Sequence, residues 1–168
     1  GRSVRSRSPS VGVIWRPATS SQRPLPPIAS AGPKLRLAEL AYRNGKHDEV
    51  IGVLEPIVKR LPPAEMPTGF YLLGAAQLAK AEAAKEAAAA RPLYIAAGLN
   101  LMRVVALFRS SPEAPRALLL AGRVNERIGN AQAARAAYSD VINRYGLAEA
   151  AQDAQKALDA LSTASGAK

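Results

Sequence analysis

From Leu35 onward, hydrophobic residues recur with the period of an α-helix, and turn residues interrupt them at regular intervals. Residues 1–33 show neither a helical nor an alternating period and are dominated by Pro, Ser, Gly and Arg. We therefore predict an extended arm over residues 1–33 and an all-α domain over residues 34–165. A composition rich in Ala and Leu, with only 5 % aromatic residues, also favours closely packed helices over a β-sandwich.

Two segments of the chain share one pattern of small and turn residues. In each, a small residue of a first helix and an apolar residue of a second helix lie 12 positions apart: Ala38 and Val50, then Gly122 and Ala134. An Asn-Gly turn separates the first pair of helices, and a Gly-Asn turn separates the second pair. Small residues let two helices approach closely, and glycine supplies left-handed backbone in the turn. The pattern predicts antiparallel helix hairpins.

A longer copy of the same pattern lies between these two segments. The corresponding positions, Gly74 and Ala97, are 23 residues apart, which is 11 more than in the other copies. The additional stretch, 81–91, is rich in Ala and has high intrinsic helix propensity, so it is predicted to be helical and to lengthen the hairpin. Two interpretations stay open: a finger that contacts partners or other copies, and a simple insertion.

Prolines predict where helices end or bend. Pro56 falls inside the second predicted helix and should bend it, because proline cannot donate a hydrogen bond toward Gly52. Pro62 should end that helix. In the longer copy, Pro92 fits the first turn of the returning helix.

With these small, large and terminating positions, the 34-residue unit resembles the tetratricopeptide repeat (TPR). Residues 31–64 and 115–148 match it, and 67–111 form a copy modified by the insertion. The resemblance implies a short right-handed superhelical array of antiparallel hairpins, closed by a capping helix over 148–161. The segments 108–115 and 138–145 are similar to the repeats of TPR proteins from the bacterial cell envelope. These proteins include the Tol-Pal-associated coordinator and the outer-membrane-assembly lipoprotein.

The resemblance also implies a groove lined by the first helix of each hairpin. Three arginines on one of these helices lie at i, i+7 and i+11, which places them in a narrow stripe that could clamp an acidic peptide. The alternative is an ordinary solvated helix face. The groove positions carried over to this chain are Tyr42, Arg43, Tyr71, Arg116, Arg123 and Arg127.

The net charge of +10 is concentrated in the arm. Residues 1–36 carry seven of the 23 basic side chains and no acidic one, so 16 bases face all 13 acids in the remainder. Such an arm would be attracted to anionic surfaces, whether lipid or nucleic acid. Val13, Ile14 and Trp15 form a short apolar island that could anchor the arm on a partner or on the chain itself, or be incidental.

The sequence offers little for catalysis. His47 is the single histidine, stands in a turn, and is interpreted as a ring that packs against the hairpin. There is no cysteine, no phosphate-binding loop and no calcium-loop pattern. We therefore expect no enzyme activity, no metal or other cofactor, and no small-molecule substrate.

The sequence thus predicts a protein–protein interaction scaffold, an accessory subunit of a larger bacterial assembly whose partners are other protein subunits. The alternative is a nucleic-acid-associated factor that binds phosphates through its arm. The family resemblance favours a cell-envelope or periplasmic location over the cytoplasm.

Overall fold

The computed structural model describes residues 32–166, and this part of the chain forms α-helices, one short 3-10 helix (Val58–Arg60) and no β-strand. The all-α prediction is confirmed. Most of the predicted arm, including Val13, Ile14 and Trp15, lies outside the described residues. The helices are α1 (Gly32–Arg43), α2 (His47–Leu54), α3 (Met66–Ala83), α4 (Ala87–Leu107), α5 (Ala114–Arg127), α6 (Ala131–Tyr145) and α7 (Glu149–Gly166).

Glycines with left-handed backbone connect two of the helix pairs. Gly45, between α1 and α2, has a φ of 70°, and Gly129, between α5 and α6, has a φ of 82°. Both residues were predicted to adopt this conformation, which side chains with a Cβ resist. After the second turn, Asn130 caps α6, because its side-chain oxygen accepts a hydrogen bond from the Ala133 amide at 3.1 Å.

The helices pack in the order in which they follow along the chain. Each helix contacts the next one, and the odd-numbered helices also contact each other: α1 with α3, α3 with α5, and α5 with α7. Three-residue connections join α1 to α2, α3 to α4, α5 to α6 and α6 to α7, so the members of each pair run in opposite directions. The odd-numbered helices therefore form one continuous row.

Helices α3 and α4 meet where one of them has no side chain. A Cβ added at Gly74 would lie 2.8 Å from Leu101 Cγ and 3.1 Å from the carbonyl oxygen of Ala97. The predicted small residues therefore do mark a helix contact. A few positions away, Asn100 Nδ2 donates a hydrogen bond to Gln77 Oε1 at 2.8 Å, and both side chains are buried.

The prediction that Pro56 bends the second helix is wrong. Helix α2 ends earlier, at Leu54, and the chain continues through a turn into the 3-10 helix over Val58–Arg60. Glu55 still has helical backbone, but Pro56 has no N–H for the Gly52 carbonyl and its ring crowds that carbonyl, so the helix stops rather than bends. For the same reason the second helix does not extend to Pro62.

The extra stretch 81–91 is helical at both ends but not throughout. Helix α3 ends at Ala83, residues 84–86 form the turn, and α4 begins at Ala87. The chain must reverse direction here, and it does so inside the Ala-rich run. Pro92 is consequently the sixth residue of α4, not a first-turn residue as predicted, because the four alanines before it already form helix.

Helix α7 packs against α6 and α5, and Ala157, Leu158 and Leu161 in its second half are partly buried against the core. It buries Ala150, Ala151 and Ala154, while its other positions are mainly polar. The predicted capping helix covered 148–161, and α7 continues five residues beyond Leu161. Its N-terminal turn brings acidic side chains next to α5, where they form part of the candidate site.

Candidate functional site

A strip of three adjoining surface depressions runs along α5. The depressions share residues with one another, and helix α3 closes one end while α7 forms one side. We call this strip the α5 groove. Its polar and aromatic lining consists of Tyr71, Glu113, Arg116, Arg123, Glu126, Tyr138, Glu149 and Asp153, and its apolar floor includes Leu119 and Leu120.

Arg116 connects three helices at the centre of the groove. Its Nη2 atom donates to Glu149 Oε2 of α7 at 2.7 Å, and both side chains are more than half exposed. The hydrogen bond that Arg116 donates to Glu149 raises the pKa of Arg116, and the nearby Tyr71 of α3 raises it further. Burial raises the pKa of Tyr71, against an opposing effect of Arg116. Arg116 therefore stays charged, and Tyr71 keeps its proton at neutral pH.

Arg123 and Arg127 share one carboxylate at the end of α3. Arg123 binds Glu82 through two nitrogens, Nε to Oε1 at 2.7 Å and Nη2 to Oε2 at 2.9 Å. Arg127 Nε donates to the same Oε1 at 2.9 Å. Glu82 is the most enclosed of the three, with 22 % of its side chain exposed. One carboxylate thus compensates two guanidinium groups, and their net charge is positive.

Tyr42 lies at the α1 end of the same row of helices. Burial raises the pKa of its hydroxyl, and the positive charges of Arg116 and Arg123 lower it by smaller amounts. Its ring meets His47 edge to face, with 5.8 Å between the ring centroids. The predicted structural packing of His47 is therefore confirmed. Arg43, one residue further along, is exposed at the end of α1.

The structure divides the six predicted groove residues into groups. Tyr71 and Arg116 lie together, and Tyr42 is close enough for the positive charge of Arg116 to lower the pKa of its hydroxyl. Arg123 lines the far end of the groove and joins Arg127 at Glu82, while Arg127 also borders a separate depression beside α4. The arginines therefore occupy two clusters rather than one uniform stripe.

Sequence reasoning missed the acidic side chains that hold these arginines. Glu149 and Asp153 belong to the helix predicted only as a cap, and Glu82 belongs to the insertion. Their i, i+4 spacing on α7 indicates that Glu149 and Asp153 share a helix face. No sequence signal gives the register of Glu82, because the turn position inside an Ala-rich run is not marked by Gly or Asn.

Three further observations concern the part of the chain that the structure describes. Residues 32–166 contain no group of three or more His, Asp or Glu side chains close enough to hold a metal ion. None of the helices described here is both long and apolar enough to span a bilayer. The Nδ1 atom of His47 is buried and accepts or donates no hydrogen bond within the protein.

Comparison with known proteins assigns no family to the chain. The chain matches no known protein family, and no curated protein is significantly similar to it in sequence.

Proposed function

We propose that this chain is a non-catalytic TPR-like scaffold, and that its α5 groove binds an extended segment of another protein subunit. The contacts among α1, α3, α5 and α7 support the arrangement, because stacked hairpins of a right-handed array bring their first helices into one row. The groove lies on this row, as the family resemblance implies.

The observation that carries the proposal is the composition of the strip along α5. It combines an apolar floor of Leu119 and Leu120 with exposed charges of both signs, chiefly Arg116, Glu149 and Asp153. Apolar side chains of a bound segment would contact the floor, and its polar groups would bind the charged walls. A surface of this kind suits a peptide better than a reaction that requires an enclosed site.

The ion pairs in the groove do not prevent binding. Exposed ion pairs contribute only about 0–1 kcal/mol each, so Arg116 can leave Glu149 at little cost. Its guanidinium then offers two parallel donors to a carboxylate or a backbone carbonyl of the partner, and Glu149 becomes free for a basic side chain. The groove can thus select partners by the order of charges along their chain.

Site-specific photo-crosslinking in native cells tests this proposal. A photoreactive residue at Leu119 should capture a defined neighbouring protein, and Arg116→Glu should reduce that capture at least fivefold. The control is the same residue at Leu147, which is fully exposed and lies outside the groove. Equal capture at both positions, or capture at Leu119 that Arg116→Glu leaves unchanged, would contradict the proposal.

The biological setting follows from the resemblance rather than from the site. We place the protein as an accessory subunit of a larger bacterial assembly, with the cell envelope favoured as its compartment. Fractionation of native cells, with the chain followed by an antibody, tests the compartment directly. A purely cytoplasmic signal would contradict it without affecting the groove.

The second candidate function rests on the charge of the arm. Residues 1–33 carry five basic side chains and no acidic one, which favours binding of phosphates, so the arm would hold RNA or DNA. In a salt titration, the affinity for nucleic acid should then fall steeply, and deletion of residues 1–33 should abolish it. Affinity that survives this deletion would contradict the second candidate.

A further inference from the structure

Helix α4 exposes an apolar strip that does not belong to the α5 groove. Ile95, Leu99 and Met102, spaced i, i+4 and i+7, are 52 %, 57 % and 45 % exposed. This spacing places them on one face of the helix. Ile128, which directly follows α5 and is also nearly half exposed, lies beside Ile95 in a shared depression and widens the strip at one end.

The strip contains no charged group over three turns of helix. Between Arg91 and Arg103, the polar groups on α4 side chains are the hydroxyl of Tyr94, a partly buried residue beside Ile95, and the amide of Asn100, which is buried and hydrogen-bonded to Gln77. Apart from Tyr94, every solvent-accessible position from 92 to 102 is therefore apolar, and none is charged. Contiguous apolar surface on an otherwise charged protein marks an interaction site, since water would favour polar residues at such positions.

The border of the strip is basic. Arg91 and Arg103 stand at its two ends, and Lys59 lines a cleft along the side of Leu99. Arg127 borders the depression beside Ile95, although Glu82 compensates it. The remaining acid on the border is Glu55, in the same cleft as Lys59. Helix α4 itself has no acidic residue.

This charge pattern discriminates between occupants. A second copy of the chain would place one α4 against another, and an antiparallel pair would bring Arg91 toward Arg103 of the other copy without an acid to compensate them. The arm, which carries Arg2, Arg5 and further arginines but no acid, would be repelled in the same way. A complementary partner must carry negative charge beside its apolar side chains.

We propose that the α4 strip binds an amphipathic helix of another protein, whose apolar stripe is flanked by Asp and Glu. The strip is a ridge between two clefts, one beside Ile128 and one beside Lys59. Ridges of this kind fit between the side chains of a second helix. Its apolar stripe, at i, i+4 and i+7, packs on Ile95, Leu99 and Met102, and its acids contact Arg91 and Arg103.

Selection from a displayed library tests the proposal with the full chain. The library holds amphipathic helices with a fixed leucine stripe, in which the flanking positions vary among Asp, Glu, Lys, Arg, Ser and Gln. Clones are selected on the parent chain and then compared on a Leu99→Glu/Met102→Glu variant. The control variant is Leu147→Glu, which changes a fully exposed leucine away from α4. Circular dichroism checks that both variants stay folded.

The expected result is enrichment of Asp and Glu in clones whose affinity drops at least tenfold on the Leu99→Glu/Met102→Glu variant and is unchanged on the control. Comparison with this variant removes acidic clones that bind the basic arm. Clones with neutral or basic flanks, or no clone that distinguishes the two chains, would overturn the proposal.

Two parallel measurements address other occupants. Concentration-dependent dimerisation in analytical ultracentrifugation, lost with Leu99→Glu/Met102→Glu, would assign the strip to a second copy and overturn the proposal. Cosedimentation with phosphatidylserine-containing vesicles, lost with the same substitutions, would assign it to a membrane surface and also overturn it. The proposal is supported if the chain stays monomeric, does not cosediment with the vesicles and binds the acidic helices.

Discussion

Gly122 of α5 lies directly against the ring of Tyr138 of α6: a Cβ at position 122 would be 2.5 Å from Tyr138 Cε1. The absence of a side chain on one helix thus creates the space that the largest buried side chain on the other helix fills. This contact fixes α5, which belongs to the row of odd-numbered helices, against α6, which packs behind that row.

Gly122→Ala should destabilise the protein by about 1–3 kcal/mol, since the methyl group collides with the ring of the buried Tyr138, which must shift. Gly98→Ala is the matched control, because its Cβ would meet only Val124 Cγ1 at 3.4 Å within a regular helix. Alanine should be neutral or stabilising there. Urea unfolding of the two variants checks this, and an equal effect at both positions would contradict it.

A second glycine pair isolates the effect of backbone conformation. A Cβ at Gly45 or Gly52 would meet no atom within 4 Å, but only Gly45 has a positive φ. Gly45→Ala should cost about 1 kcal/mol, whereas Gly52→Ala should stabilise α2 by up to about 1 kcal/mol. Thermal unfolding should therefore shift in opposite directions. A shift of the same sign in both variants would refute the explanation.

The buried pair Gln77 and Asn100 predicts non-additive substitutions. Asn100→Ala removes the donor from Gln77 and should cost about 1–3 kcal/mol, because a buried amide is left without its partner. Replacing both residues, as Gln77→Met with Asn100→Leu, should recover part of this loss, because Arg103 Nη1 still loses the Asn100 Oδ1 to which it donates at 2.7 Å. A double-mutant cycle by chemical denaturation measures the coupling, and simple additivity would argue against the bond's contribution.

Glu82 should stabilise the row of helices in a salt-dependent manner. Glu82→Gln leaves Arg123 and Arg127 facing each other and should cost about 1 kcal/mol at low salt, with a smaller cost at high salt because ions screen the repulsion. Glu49→Gln, in the exposed pair with Lys46, is the control and should have little effect. Unfolding at two ionic strengths tests this; a cost that does not depend on salt would exclude the electrostatic origin.

The ionisation of Tyr138 should lower the free energy of unfolding at alkaline pH. Burial and the neighbouring Glu126 raise the pKa of its hydroxyl, so the folded state keeps this proton at pH values where the unfolded chain has lost it. Its stabilising contribution is complete below about pH 10, the pKa of an unfolded tyrosine, and is lost as the pH rises above that value.

Tyr138→Phe removes that titration, so its free energy of unfolding should fall less steeply than that of the parent above about pH 10. Urea unfolding at several alkaline pH values gives the two slopes. Tyr42 and Tyr71, whose pKa values are also raised by burial, remain in both chains and provide the shared background. Identical slopes would show that Tyr138 ionises equally in the folded and unfolded states.

The sequence by itself determined the helical class, the two left-handed turns and several helix contacts. These properties depend on local chemistry: a 3.6-residue period makes a helix, Gly45 and Gly129 permit positive φ, and Gly122 and Gly74 permit close approach. They can be read from neighbouring residues. The sequence predicted the helix ends less well, since Pro56 and Pro92 are each compatible with more than one position of the nearest helix end.

Tertiary structure alone decided which charges meet. Arg123 and Glu82 are 41 positions apart, and Arg116 and Glu149 are 33 apart, so no helical period relates them. Their pairing depends on where the chain turns inside the Ala-rich run and on how α7 lies beside α5. The sequence also could not predict that Ile95, Leu99 and Met102 are exposed to solvent. A hydrophobic residue at helical spacing looks the same in sequence whether a neighbouring helix covers it or not.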